Sequence, residues 1–237
     1  LHLQKQKSQK VYVFVEFTLV VLIVLGFFVH SAFSWASGEG GGTREIRYDT
    51  SDAVYLIVYE LTMLILLTLY LRWRGYDWRD FGISTGLSHI TAGLVMFIAN
   101  YLAYLLLYRW FGAFLMSLNI SVGSASFESA GTSYVIDIAI PVLVLFTWIN
   151  AMFEEFVLVS YSTSALGRHL PGLAVLAISV IMRLSFHFYQ GPIILISILP
   201  MGIIHFVFYW YKRNLVAITL SHAIMDFLSF YVYMLIS

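Results

Sequence analysis

Apolar residues in this chain come in long runs separated by short polar turns, without the strict alternation of a half-buried strand. Runs extend from about Val11 to Phe33, Ser51 to Leu71, His89 to Tyr108, Tyr134 to Leu166, Pro171 to Gln190, Ile193 to Trp210, and Leu215 to near Ser237. A helix needs roughly 20 apolar residues to cross the hydrocarbon core of a bilayer, and each run approaches or exceeds that length. The pattern therefore predicts an all-α, polytopic transmembrane helical bundle of seven to eight spans. The eighth element is Phe111 to Ile120, which is apolar but too short to cross and reads as a re-entrant or interfacial helix.

The breaks between runs carry turn chemistry. Residues 34–51 hold Gly38, Gly40, Gly41 and Gly42 and read as an exposed flexible loop, and Ser121 to Ser133 is a second Ser- and Gly-rich loop. Gly167-Arg168-His169 forms a turn before Pro171, which suits the first turn of the next helix. Gly191-Pro192 breaks the chain again, and Lys212-Arg213-Asn214 makes a tight basic turn. Arg72, Arg74 and Arg79 alternate with Trp73, Tyr76 and Trp78, a mixture that a membrane–water boundary selects. Asp80-Phe81-Gly82-Ile83 then reads as a short interfacial segment. Two regions follow: residues 1–75, with two spans and the Gly-rich loop, and residues 76–237, the core helical domain.

Composition agrees with lipid exposure. Of 237 residues, 60% are hydrophobic and 11% charged, where a soluble domain carries about a quarter charged. Basic residues form no broad patch, so nucleic acid is not an expected partner, and membrane lipid is. Net charge is zero, yet placement is uneven: Lys5, Lys7, Lys10, Arg72, Arg74, Arg79, Arg168, Lys212 and Arg213 fall on one side if seven spans alternate. The positive-inside rule puts that side, with the N-terminus, in the cytoplasm of a cell inner membrane. The first span is expected to be uncleaved, because its apolar run is longer than a signal-peptide core. With no cysteine there is no thiol nucleophile, thiolate metal site or disulfide framework. No HExxH motif, phosphate loop or nucleophile elbow is present either.

What remains is carboxylate and imidazole chemistry within the spans, where ionisable groups are costly and face a protein interior or a wet cavity. Glu154 and Glu155 lie in one apolar run, His187 and Arg183 in the next, and His222 and Asp226 in the last. At roughly 1.5 Å per residue, Glu154 stands about 20 Å from the Arg168 turn and His187 about 27 Å. By the same rise, His222 lies about 14 Å and Asp226 about 20 Å from the Lys212-Arg213 turn. Three helices can thus bring polar groups to similar depth. His222 and Asp226, four apart, share a face, so the carboxylate can fix the imidazole tautomer. One glutamate can act as general base for water while its neighbour orients a partner. The bland readings are a buried His222–Asp226 bond that holds the bundle and a buried carboxylate neutralised by Arg183. His205 reads as a satisfied packing residue, Glu60 as locally hydrogen-bonded, Asp137 as near the outer end of its helix, and Tyr161, Tyr189 and Gln190 as candidates for a cavity mouth.

These residues, in this order, resemble the CPBP family, the CAAX-protease and bacteriocin-processing (Abi) intramembrane endopeptidases. That family carries Glu-Glu-x-x-x-Arg, Phe/Tyr-x-x-x-His and His-x-x-x-Asn/Asp on separate helices. Glu154-Glu155 match the first motif, His187 the second with Arg183 in place of the aromatic, and His222-Ala223-Ile224-Met225-Asp226 the third. Asp80-Phe81-Gly82-Ile83 is similar to a segment that precedes the family's core helices. Val159 stands where the family has arginine, and Arg183 is a candidate replacement.

The resemblance implies an endopeptidase acting on a membrane-associated peptide or protein. Glu154 would be the general base, Glu155 would orient it, His187 and His222 would position water or polarise the carbonyl, and Asp226 would hold His222. It also leaves open a divalent metal such as zinc on Glu154, His187 and His222. Two other classes of function fit the same residues: a catalytically silent binding or immunity protein, for which Val159 argues, and an ion-coupled transporter.

Overall fold

The computed structural model describes residues 2–26, 28, 30, 44–84, 86–117, 132–187 and 195–236. The expected Gly38 to Gly42 loop, the Gly191-Pro192 break and the cavity-mouth candidates Tyr189 and Gln190 lie outside the described residues. So does the Ser121 to Ser133 loop, apart from its last two positions.

Helices dominate, as the apolar runs predict. In chain order they are α1 (His2–Val24), α2 (Thr50–Trp73), α3 (Leu87–Ser117), α4 (Ile140–Glu154), α5 (Ser162–Leu166), α6 (Gly172–His187), α7 (Leu195–Lys212) and α8 (Leu215–Ile236). Among the described residues four helices are long and apolar enough to cross a membrane: Thr50–Trp73, Leu87–Phe111, Ile140–Leu166 and Leu215–Leu235. Val11–Val24 and Gly172–Ser185 are apolar but shorter. The protein is a helical membrane protein.

Three local expectations change. The apolar stretch after Tyr108 does not form a separate short helix; α3 continues without a break to Ser117, since nothing between Tyr108 and Ser117 stops a helix. The end of the Gly-rich loop is a strand, β1 (Arg44–Asp49), paired in parallel with β2 (Thr132–Asp137), with Ile46 opposite Tyr134 and Tyr48 opposite Ile136. Hence the fourth run starts as strand and becomes helix only at Ile140, and Asp137 ends β2. The pairing joins residues nearly 90 positions apart, a long-range contact that local pattern does not encode. Asp49 then caps α2, accepting the Ser51 and Asp52 N–H groups, while Pro141 sits in the first turn of α4 where no N–H is needed.

The helix from Ile140 to Leu166 is the axis of the bundle. Within its most apolar window 61% of residues are buried inside the protein, against 17% for Leu87–Phe111. It packs against α2, α6, α7 and α8, and α3 lies behind α7 and α8. Phe153, Phe156, Leu158 and Val159 from this axis pack with Phe17 of α1, Leu25 just after it, Leu64 and Leu71 of α2, and Phe206 of α7 in the main core. At Gly93, α3 comes so close to α8 that a Cβ would lie 3.0 Å from the Ala217 carbonyl oxygen.

The Asp80–Gly82 segment acts as a buckle. Ser164 Oγ donates to the Asp80 carbonyl at 2.9 Å, Ser160 Oγ to that of Phe81 at 3.1 Å, and the Leu215 N–H to that of Gly82 at 3.0 Å. The axis helix is thereby tied to the turn before α8. Gly82 has φ +64°, and a Cβ there would sit 2.1 Å from the Arg213 carbonyl oxygen, so glycine is required twice over. On the same side Arg74 grips Glu16 with two bonds of 2.7 and 2.8 Å, fastening α1 to the end of α2.

Candidate active site

The axis helix is not uniform. From Glu155 to Tyr161 it widens into a π-helix, beginning at the second glutamate. Such segments are rare and recur at functional sites. All seven residues of the widened turn are buried. The two glutamates therefore leave the helix just where its regular spacing ends.

Their environments differ sharply. Glu155 Oε1 accepts from Arg183 Nη2 at 2.8 Å, from His205 Nδ1 at 3.0 Å and from His222 Nδ1 at 2.8 Å. One carboxylate oxygen from the axis helix thus collects donors from α6, α7 and α8. Glu154 Oε2 has no hydrogen-bond partner among the described residues, and its nearest cation is Arg183 Nη1 at 3.8 Å. Both carboxyls are buried.

A second layer orients the first. The Asn100 amide of α3 donates to His205 Nε2 at 2.8 Å and to Ser221 Oγ at 3.0 Å. With Nε2 accepting, the His205 proton is on Nδ1, the nitrogen that faces Glu155. His222 gives Nδ1 to Glu155 and leaves Nε2 at 3.4 Å from Asp226 Oδ2, long for a hydrogen bond. Asp226 Oδ2 instead receives the Asn150 amide at 3.0 Å. Asn150 and Glu154, four apart on α4, share a face. The Asp226 side chain is 23% exposed while that of His222 is 2% exposed, so the cluster opens to its surroundings at Asp226. His187 ends α6 half-buried, one turn beyond Arg183, within electrostatic reach of Arg183, Asp226 and His222.

All six residues expected from the sequence, Glu154, Glu155, Arg183, His187, His222 and Asp226, thus meet in one region of the bundle. Arg183 reaches the acidic pair from α6, where Val159 replaces an arginine on the axis helix and packs in the main core. His205, Asn100, Ser221 and Asn150 were not expected there. His205 is satisfied, as foreseen, but by Glu155 and Asn100. The available signal was a polar side chain inside an apolar helix, which each of them is.

Among the described residues no three acidic or imidazole side chains converge as metal ligands.

Residues 137–228 match the family model described as Rce1-like, type II CAAX prenyl endopeptidase. The family resembled by the motifs is the family matched. The match runs from the end of β2 into α8 and takes in both glutamates, Arg183, all three site histidines and Asp226, but not Glu60 or Asn100. The Rce1-like family is one of CAAX intramembrane endopeptidases. No curated protein and no solved structure gives a match.

Proposed function

We propose that the protein hydrolyses a peptide bond in a membrane-associated protein or peptide, with Glu154 activating the attacking water. The observation that carries this reading is the division between the adjacent carboxyls. Glu155 is pinned at Oε1 by three donors, with its Oε2 left over, whereas no donor among the described residues hydrogen-bonds Glu154. A general base needs a lone pair that no donor has already taken, and an orienting group needs to be held still.

In this scheme Glu154 takes a proton from water while the water oxygen bonds to the carbonyl carbon. The tetrahedral oxygen gains negative charge, which preorganised donors stabilise. His187 and His222 position the water or the carbonyl, the His222 ring being held by Glu155 through Nδ1. Collapse breaks the C–N bond, and the amine leaves with the proton returned from Glu154. No step requires a metal. Arg183 supplies from α6 the positive charge that Val159 lacks, which favours an active enzyme over a silent binding protein.

The substrate class suggested by the matched family's description is a prenylated protein. The distribution of basic residues supports a cytoplasmic N-terminus in an inner membrane. The test is E154Q in the purified full chain with membrane peptides as substrates. Turnover should fall by about 10²-fold or more at unchanged melting temperature. Turnover near the native rate would overturn the assignment of Glu154.

A further inference from the structure

Glu60 lies midway along α2, outside the matched segment, and is fully buried. Neither of its carboxyl oxygens has a hydrogen-bond partner among the described residues. The expected local hydrogen bond is not made. Its neighbour Tyr59 packs edge-on against Phe153, with ring centroids 6.5 Å apart, which sets Glu60 and Glu154 at the same level of the α2–α4 interface. Glu60 lies within electrostatic reach of Glu154, Asp226 and His222.

The cluster therefore holds four carboxyls, Glu60, Glu154, Glu155 and Asp226, around one guanidinium. Arg183 bonds Glu155 and stands off Glu154 at 3.8 Å. Among the described residues three buried carboxyls, those of Glu60, Glu154 and Glu155, keep an oxygen with no donor, and Glu60 does so at both of its oxygens. A buried acid is normally paired or hydrogen-bonded. Among the described residues Arg183 keeps Nε and Nη1 without acceptors, and Nη1 faces Glu154. The carboxyl with both oxygens buried and no donor at either is that of Glu60, and a group with several N–H donors and a positive charge would meet its need. A lysine ammonium carries three such donors and an arginine guanidinium five.

We infer that Glu60 forms a recognition subsite for a basic side chain of the peptide substrate, next to the bond that is cut. Its place in the reaction rests on the endopeptidase reading; the binding itself does not. The subsite belongs to α2, so it would confer a substrate preference specific to this chain's N-terminal region.

The test uses the purified full chain in detergent micelles with n-butylammonium and n-butylguanidinium as probes of the two basic side chains. 1-Pentanol and sodium chloride are the neutral and inorganic controls. Both organic cations should bind, with dissociation constants rising at least tenfold in E60Q and staying within a few-fold in E60D. A dissociation constant unchanged in E60Q, no binding to the native chain, or a Glu60-dependent response to sodium alone would overturn the inference. Should E60Q fail to fold, dicyclohexylcarbodiimide labelling of the native chain decides. Butylammonium should protect Glu60 from the label. Undiminished labelling overturns the subsite, and so does no labelling at all, because a site closed to the reagent is closed to a side chain. Intact turnover without cation binding sinks this inference alone. Cation binding without any peptide turnover sinks the endopeptidase reading alone.

Discussion

Replacing Arg183 with methionine tests whether the cluster is one electrostatic unit. Methionine keeps an apolar stem in the space beside Gly202, where a Cβ would lie 3.4 Å from Arg183 Cδ. It removes the guanidinium at 2.8 Å from Glu155 and 3.8 Å from Glu154, leaving two buried carboxyls without their shared cation. Breaking a buried pair by deleting one partner costs about 3–5 kcal/mol. His205 and His222 still donate to Glu155, so the lower end, about 3 kcal/mol, applies. At about 2–4 °C per kcal/mol for a chain of this size, the melting temperature in detergent should fall by about 6–12 °C. The double variant E155Q/R183M sharpens the test, because the carboxylate stranded by the first change is itself removed. Its loss of stability should be smaller than the sum of the single losses by more than about 1 kcal/mol. A melting temperature for R183M within a degree of native, or additivity of the two changes within about 0.5 kcal/mol, would refute the coupled cluster.

Three further outcomes follow from the geometry. G82A should lower the melting temperature by several degrees without altering the residues of the acidic cluster, since its Cβ meets the Arg213 carbonyl at 2.1 Å; an unshifted melting curve would deny the buckle between the axis helix and α8. The Asp77 carboxyl is held below the usual carboxylate range by the Arg79 N–H it accepts, and next by Arg72. A depressed value means the capping contact is present above the ordinary carboxylate range and lost as pH falls through the lower folded value. Exchange of the Arg79 amide, measured against its intrinsic rate, should therefore rise below about pH 4, and protection that does not change with pH would show the cap to be absent. Finally, dialysis against a chelator should leave peptide turnover unchanged, because among the described residues no three acidic or imidazole side chains converge as metal ligands; loss of turnover restored by a divalent metal would contradict the metal-free scheme.

The apolar runs alone were enough to establish a helical membrane bundle, because a span is a local property: about 20 residues with little charge, whatever surrounds them. Depth along each run was legible for the same reason, since helical rise converts sequence distance into height. Together they placed Glu154, Glu155, His187, His222 and Asp226 at comparable levels, and the order of the motifs pointed to the matched family. Sequence spacing contains no information about rotation or about which helix neighbours which. Only packing put Arg183 of α6, His205 of α7 and His222 of α8 on a single oxygen of Glu155, left Glu154 without a hydrogen bond among the described residues, and buried Glu60 of α2 within electrostatic reach of Glu154 and Asp226. The widening of the axis helix at Glu155 and the parallel pairing of β1 with β2 were likewise invisible, because each depends on contacts between segments far apart in the chain.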